Sequence, residues 1–317
     1  MCYIKLRSLL ILYKPIFQLD MKIYDCFMFF DEEMVLDLRL NIMDKYVDKF
    51  VITEATYMHS GKPKKLVFDI NKFSKFKDKI IYIKINEPPP DLLKINDNDS
   101  LNTIESKKTI NASKRELYQI GKTQDGLINA DPDDLIIVSD VDEIPNLEEI
   151  DIKKINQKLI FFKQKMFYYK LNLFYKQLPW YGSKACKKKK FKSPQWLRSI
   201  KNKKYPIWRI DTFFSQVKYN DIYYVDNGGW HFTNIRIAED LEKKLSNFLH
   251  HVDFEQSGLG IKDLKKLIDD KKVMYNHLTD KKLKKWGDGE KLQKISVNEM
   301  PKYIQENLNI YKQWLET

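Results

Sequence analysis

The sequence predicts an α/β protein: a single central mixed sheet flanked by helices, followed by a helical C-terminal part. Three observations predict it. Apolar, β-branched runs alternate with segments of helical period in the order strand–helix–strand–strand–helix–strand as far as Val138. The run Leu135-Ile136-Ile137-Val138 is continuously apolar, which suits a strand buried on both faces. From Ile237 onward the chain becomes charged and helical in period.

Residues 22–30 are apolar and aromatic and read as the first strand. Asp31 is placed to cap the helix that follows, with Glu32 and Glu33 favourable in its first turn. Met34, Leu38 and Ile42 share one face of that helix, and Val35 widens it. Residues 49–56 form a second strand, and Glu54 stands near its carboxyl end, where such sheets meet ligands. His59-Ser60-Gly61-Lys62-Pro63 is a turn in which Gly61 is free to take positive φ. It reads equally as a connector or as a loop flanking a pocket.

Residues 79–85 are a third strand, and residues 87–100, with three successive prolines, are a loop or lid. Helical period then runs over residues 105–130. Within it Lys108, Arg115, Gln119 and Lys122 make a stripe, either solvated or holding nucleotide or phosphate. The order of elements up to Val138 is that of a nucleotide-binding α/β half.

The fourth strand ends in Ser139-Asp140-Val141-Asp142-Glu143-Ile144-Pro145. Burying these carboxylates unpaired is very costly, so they must meet solvent or a cation. Hard divalent cations take carboxylate oxygens, with substrate phosphate completing the shell. Asp140 and Asp142 therefore read as metal ligands at a ligand-binding strand end, the alternative being a solvated acidic turn. Pro145 removes a backbone donor and stops the strand.

Beyond Asp142 the pattern changes. Residues 158–175 are strand-like and rich in Phe and Tyr, with Trp180, Trp196 and Trp208 following. At this density core packing is the default, with some rings free to stack on a sugar. Lys187-Lys188-Lys189-Lys190 is a solvated loop or a phosphate-contacting run. Residues 221–225 form another strand, followed by Asp226-Asn227-Gly228-Gly229-Trp230-His231. The two glycines would let backbone approach a ligand closely, which brings Gly229 and Trp230 into the site. A lone His is usually structural, but after a Gly-Gly turn at a strand end His231 reads as a ligand contact, as a metal ligand through neutral imidazole in one reading. Helices are expected over residues 238–250, 261–271 and 302–314, with solvated lysine-rich faces.

The chain has 317 residues, enough for one large domain or two small ones, and a net charge of +12. Such a charge suits an anionic partner, either nucleic acid or a membrane surface. Lys recurs along the whole chain, so the charge reads as dispersed, and no nucleic-acid partner is expected. The three cysteines, Cys2, Cys26 and Cys186, show no CxxC spacing, which argues against a disulfide framework or a zinc site. Residues 8–19 are apolar in patches but interrupted by Lys14 and Pro15, so no transmembrane segment is expected. Residues 1–20 read as an N-terminal extension, 21–251 as the main domain and 252–317 as a helical region packed on it.

Several ordered motifs resemble glycosyltransferase family 17. They are Tyr24-Asp25-Cys26-Phe27-Met28-Phe29-Phe30-Asp31-Glu32, Leu36-Asp37-Leu38-Arg39-Leu40-Asn41, Asp48-Lys49-Phe50-Val51-Ile52-Thr53-Glu54-Ala55-Thr56 and Ser60-Gly61-Lys62-Pro63-Lys64. The stretch from Pro132 to Pro145 resembles the family's metal motif, and Gly229-Trp230-His231-Phe232 its later signature. The resemblance covers residues 21–251. It implies a GT-A-like nucleotide-sugar-binding fold, a UDP-sugar donor (UDP-GlcNAc foremost), Mn²⁺ or Mg²⁺, and inversion at the anomeric carbon. It also implies a glycan or glycoprotein acceptor, as in the β-1,4-mannosyl-glycoprotein 4-β-N-acetylglucosaminyltransferases that modify N-linked glycans.

On that reading Asp142, assisted by Asp140 and with His231 as an extra ligand, holds the metal. Glu143 and Asp226 are the choices for catalytic base, since an inverting transfer needs a carboxylate on the acceptor hydroxyl. Glu54 contacts the nucleoside, and Arg115, Gln119, Asp140, Gly229 and Trp230 contact the donor. Gln119-Ile120 stands where the family carries Gln-Arg, so one donor contact is lost or passes to Arg115 or Lys122. The expected setting is cytoplasmic or otherwise soluble, a Golgi membrane requiring an anchor not read here. Two rivals carry different expectations. A glycan-binding protein without turnover would bind sugar but no metal–nucleotide sugar, and an Asp-x-Asp phosphohydrolase would release free phosphate.

Overall fold

The computed structural model describes residues 21–148, 150–206, 208–277, 286, 287 and 289–317. The N-terminal extension expected over residues 1–20 lies outside the described residues. β1 (Ile23–Met28) leads into α1 (Glu33–Met43), β2 (Lys49–Ala55) and β3 (Ile80–Ile85). The long α2 (Leu101–Gly121) then returns the chain to β4 (Leu135–Val138). Residues 87–100 form no regular element but are held to α2, where Asn111 exchanges hydrogen bonds of 2.8 and 2.9 Å with the Leu93 backbone. They are a pinned loop.

The mixed α/β class is as the sequence predicts, but there are two mixed sheets, not one. The aromatic stretch expected as one strand-like run breaks into β6 (Leu159–Phe162), β7 (Gln164–Tyr168) and β8 (Leu173–Trp180). With β5 (Glu143–Pro145) before them, and β9 (Lys184–Lys187), β10 (Ile222–Val225), β11 (Gly229–Thr233) and β12 (Gln293–Lys294) after, these strands divide. The seven-stranded sheet runs β10-β6-β9-β4-β1-β2-β3, and the five-stranded sheet runs β12-β8-β7-β11-β5. The division occurs at the acidic stretch. β4 pairs with β1 in the first sheet, while β5, beginning at Glu143, pairs antiparallel with β11 in the second.

β3, β2, β1 and β4 are parallel neighbours, so connections leave β1 towards opposite edges. That reversal opens a crevice at the carboxyl ends of β1 and β4, the place where open α/β sheets bind ligands. Parallel strands of this kind are apolar throughout because both faces are covered. β4 is accordingly buried at every position, and Phe27, Phe50, Ile52 and Ile137 sit in the main core.

Behind β9 the chain forms α3 (Pro194–Ser199), α4 (Asp211–Phe214) and, after β11, α5 (Ala238–Leu245). α3 is capped by Ser193, which accepts from Trp196 N at 3.1 Å, with Pro194 in the first turn. The C-terminal part contributes β12 to the second sheet, and Tyr311 donates to Asp37 of α1 at 3.0 Å. Helices expected as continuous over residues 238–250 and 302–314 are broken into shorter ones. No helix among the described residues is long and apolar enough to cross a membrane.

Candidate active site

A cavity of about 250 Å³ occupies the crevice at the ends of β1 and β4. Phe29, Phe30, Tyr57, His59, Gln119, Asp140, Asp142, Glu143, Trp180, His231 and Lys244 are among its lining residues. Of the residues predicted from the sequence, Gln119, Asp140, Asp142, Glu143 and His231 thus line one cavity. His231 joins the acids because β5 and β11 are neighbours, with His231 directly opposite Glu143 in the ladder.

The turn between β4 and β5 is held from beneath by Arg39 of α1. Its guanidinium donates to the carbonyls of Asp140, Val141 and Glu143 at 2.9, 3.2 and 2.8 Å, and to Ser139 Oγ at 2.6 Å. Asp25, in the middle of β1, neutralises it through two hydrogen bonds of 2.8 and 2.6 Å. Both side chains are fully buried. Carbonyls drawn inward onto one cation leave the acidic side chains of this turn facing the cavity.

Each acid then has its own environment. Asp140 receives Arg198 of α3 through two hydrogen bonds, one of them 3.2 Å long, and Arg198 also reaches Glu116 at 3.2 Å. Burial pushes the Asp140 carboxyl up, but Arg198 outweighs it and holds it below the usual range. Glu143 goes the other way. Burial first, then the Asp140 charge, raise its carboxyl above the ordinary value. One Glu143 oxygen accepts from Trp180 Nε1 at 2.5 Å and the other from the Asp140 backbone at 2.8 Å. Gly182 packs on the same carboxylate so closely that a Cβ there would collide with it.

Asp142 has the least committed carboxylate. Its nearest basic groups are His231 Nε2 at 3.6 Å and Lys244 Nζ at 3.8 Å, beyond hydrogen-bond distance. His231 stacks on Trp180 with ring centroids 4.8 Å apart, and among the described residues its buried Nδ1 has no hydrogen-bond partner. Tyr57 OH, also in the cavity wall, is likewise without one. Buried polar atoms left unsatisfied call for an explanation, and a bound ligand is one. Among the described residues no set of three or more His, Cys, Asp and Glu side chains closes on one point. A cation shared with substrate phosphates needs only one or two carboxylates from the protein. Asp142, with His231 beside it, supplies that donor set.

Other predicted residues lie elsewhere. Glu54 is fully buried and accepts from Lys64, from Val67 N and Phe68 N at 2.8 and 3.1 Å, and from Tyr82 OH at 2.7 Å. It does not line the cavity, but the Lys64 it holds does. Arg115 donates to the His59 carbonyl at 3.0 Å and packs on Gly61, whose φ is +96°, so it supports the turn that carries His59 to the cavity. Burial lowers the His59 imidazole to about 4, so it is neutral at pH 7.

Asp226 lies outside the lining, with its side chain 89% exposed and Lys163 at 3.2 Å. Gly229 and Trp230 are also outside the lining. The close approach expected of the two glycines is to backbone: Gly228 faces Phe162 and Lys163, and Gly229, at φ +119°, faces Ile144 and Asn146. These glycines let strands pass each other. Asp31, expected as a helix cap, pairs with Arg236 instead, because the chain enters α1 through Glu32, whose side chain caps nothing.

Sequence reasoning missed Arg39, Gly182, Arg198 and Lys244, and named Trp180 only among the aromatic residues of which some could stack on a sugar. Lys244 was expected on a solvated face, yet it is only 17% exposed and sits between Glu32 and Asp142, each 3.8 Å away. Its position one turn after the apolar Leu241 carried a weak signal. Trp180-Tyr181-Gly182, an aromatic pair and a glycine at a strand end, carried a stronger one.

A cavity at the reversal point among the parallel strands of a mixed sheet, walled by carboxylates, cations and aromatic rings, defines an α/β protein with a ligand-binding crevice. The family described as Glycosyltransferase family 17 matches residues 14–316, nearly the whole chain, and the chain belongs to that family. It is a glycosyltransferase. No curated protein matches it.

Proposed function

We propose that this glycosyltransferase is metal-dependent and inverting, taking a sugar from a UDP-sugar, UDP-GlcNAc foremost, to a glycan or glycoprotein hydroxyl. The observation that carries the reading is the Asp142 carboxylate, facing the cavity with His231 and Lys244 beside it but beyond hydrogen-bond distance. A bound Mn²⁺ or Mg²⁺ would supply Lewis-acid neutralisation of the leaving diphosphate. Asp142 and His231 are the residues that would hold it.

The transfer is one displacement. The acceptor oxygen bonds to the anomeric carbon as the bond to the diphosphate oxygen breaks and its electron pair leaves with UDP. Glu143 takes the acceptor proton, its basicity raised by burial and by Asp140. Lys244, 3.8 Å from Asp142, would lend its charge to the departing anion. Arg198 keeps Asp140 ionised and fixed. Gln119, Tyr57 and Phe30 offer polar and aromatic contacts to a bound nucleotide sugar.

The test is UDP release across a panel of UDP-sugars, with Mn²⁺ and with chelator. Turnover of one donor, lost with chelator, supports the reading and names the sugar. Donor binding and turnover unaffected by chelator would remove the metal from it.

A further inference from the structure

Residues 201–206 and 208–218 belong to an excursion whose two ends meet. Lys201 N donates to Val217 O at 2.9 Å, and Trp196 of α3 donates to Gln216 O at 3.0 Å. The tip carries Trp208, Ile210, Phe213 and Phe214, exposed by 80, 69, 77 and 85%. Single exposed apolar residues are ordinary, but four large ones within seven positions form a patch that marks an interaction surface. The presentation is built. Asp211 binds the Arg209 guanidinium through two hydrogen bonds of 2.6 and 2.8 Å and Lys218 at 2.7 Å, and Thr212 caps back onto Arg209 O at 2.7 Å. These contacts hold α4 as one short turn with both phenylalanines outward.

We propose that this loop seats the protein on an anionic lipid bilayer. Its charge selects that partner. Lys201, Lys203, Lys204, Arg209 and Lys218 lie in the same segment as the aromatic tip, and Asp211, its one acid, is paired with two of them. Exposed Trp and Phe on a segment with five cations and one paired acid match the layered interface of a membrane, where rings enter the headgroup boundary and cations meet anionic headgroups. A second copy of this chain fits worse, because it carries a net charge of +12 and would set cation against cation. The inference stands on this loop alone, independently of the transfer reaction.

Cosedimentation of the full chain with vesicles tests it, using phosphatidylcholine alone and phosphatidylcholine with about a third phosphatidylglycerol. The comparison is a Trp208→Ser, Phe213→Ser, Phe214→Ser variant, with its thermal melt measured to show that it folds. The parent chain is expected to bind the anionic vesicles, at least about tenfold more tightly than the variant, and to lose binding as salt rises. Equal binding by parent and variant, or no binding by the parent, would overturn the proposal. So would a parent that self-associates in light scattering while the variant does not, with neither binding vesicles: the patch would then belong to a second copy.

Discussion

Arg39 and Asp25 form a fully buried ion pair, two hydrogen bonds of 2.8 and 2.6 Å, directly beneath the turn that carries Asp140, Asp142 and Glu143. Asp25 interrupts an otherwise apolar strand, and Arg39 sits on the buried face of α1. Charges in such places are costly unless they do something, and here they collect three carbonyls of the acidic turn.

Removing one partner strands the other in the core. Arg39→Met is expected to cost about 3–5 kcal/mol in urea unfolding. Arg39→Lys keeps the charge but loses the fork that reaches several carbonyls, so it should remain folded with reduced activity. A loss below about 1 kcal/mol for Arg39→Met would deny the pair its structural role.

Glu143 is expected to work as a carboxylate. Since its folded pKa is raised above 4.5, activity should rise with pH along a limb that lies above the ordinary Glu value. Glu143→Gln should lose about 10²–10⁴-fold in kcat/KM. A limb that survives in that variant would place the base elsewhere.

Trp180 and Gly182 set that carboxylate. Trp180→Phe removes a donor that favours the charged form, so the acid limb should move to higher pH. Gly182→Ala should displace Glu143 and lower kcat about 10²-fold, while circular dichroism remains that of the parent. An alanine variant with full turnover would show that the carboxylate's position is unimportant.

Glu32 couples stability to pH. Burial raises its carboxyl, but Arg236 and Lys244 prevail and bring it down from 4.5 to about 2. A carboxyl depressed on folding adds stability above its unfolded pKa, and that stability fades as pH falls from about 4.5 through about 2. The contribution is at most about 3 kcal/mol. Urea unfolding of the parent and Glu32→Gln at pH 6 and near pH 3 checks it: the gap between them should shrink in acid. A constant gap would mean that Glu32 does not titrate in this window.

How much of this the sequence carries follows from what is local. Leu135–Val138 and the acids after it were legible because a buried strand and an acidic turn are each written in consecutive residues. The parallel strands β1 to β4 were legible for the same reason. The second sheet was not, since β5 has only three residues and finds β11 more than eighty positions away. Nor were Arg198 and Lys244, whose partners Asp140 and Asp142 lie in a turn far away in the sequence. Asp25 and Arg39 lay inside the motifs that carried the family resemblance, but their pairing became readable only once α1 was packed on the sheet.

The most direct test of the central claim is calorimetric titration of UDP, with and without Mn²⁺, into the parent protein and Asp142→Ala. The parent should bind UDP more tightly when Mn²⁺ is present, and the variant should lose that gain, about tenfold or more, while still melting cooperatively. Equal Mn²⁺-dependent binding by both proteins would contradict Asp142 as the residue that holds the cation.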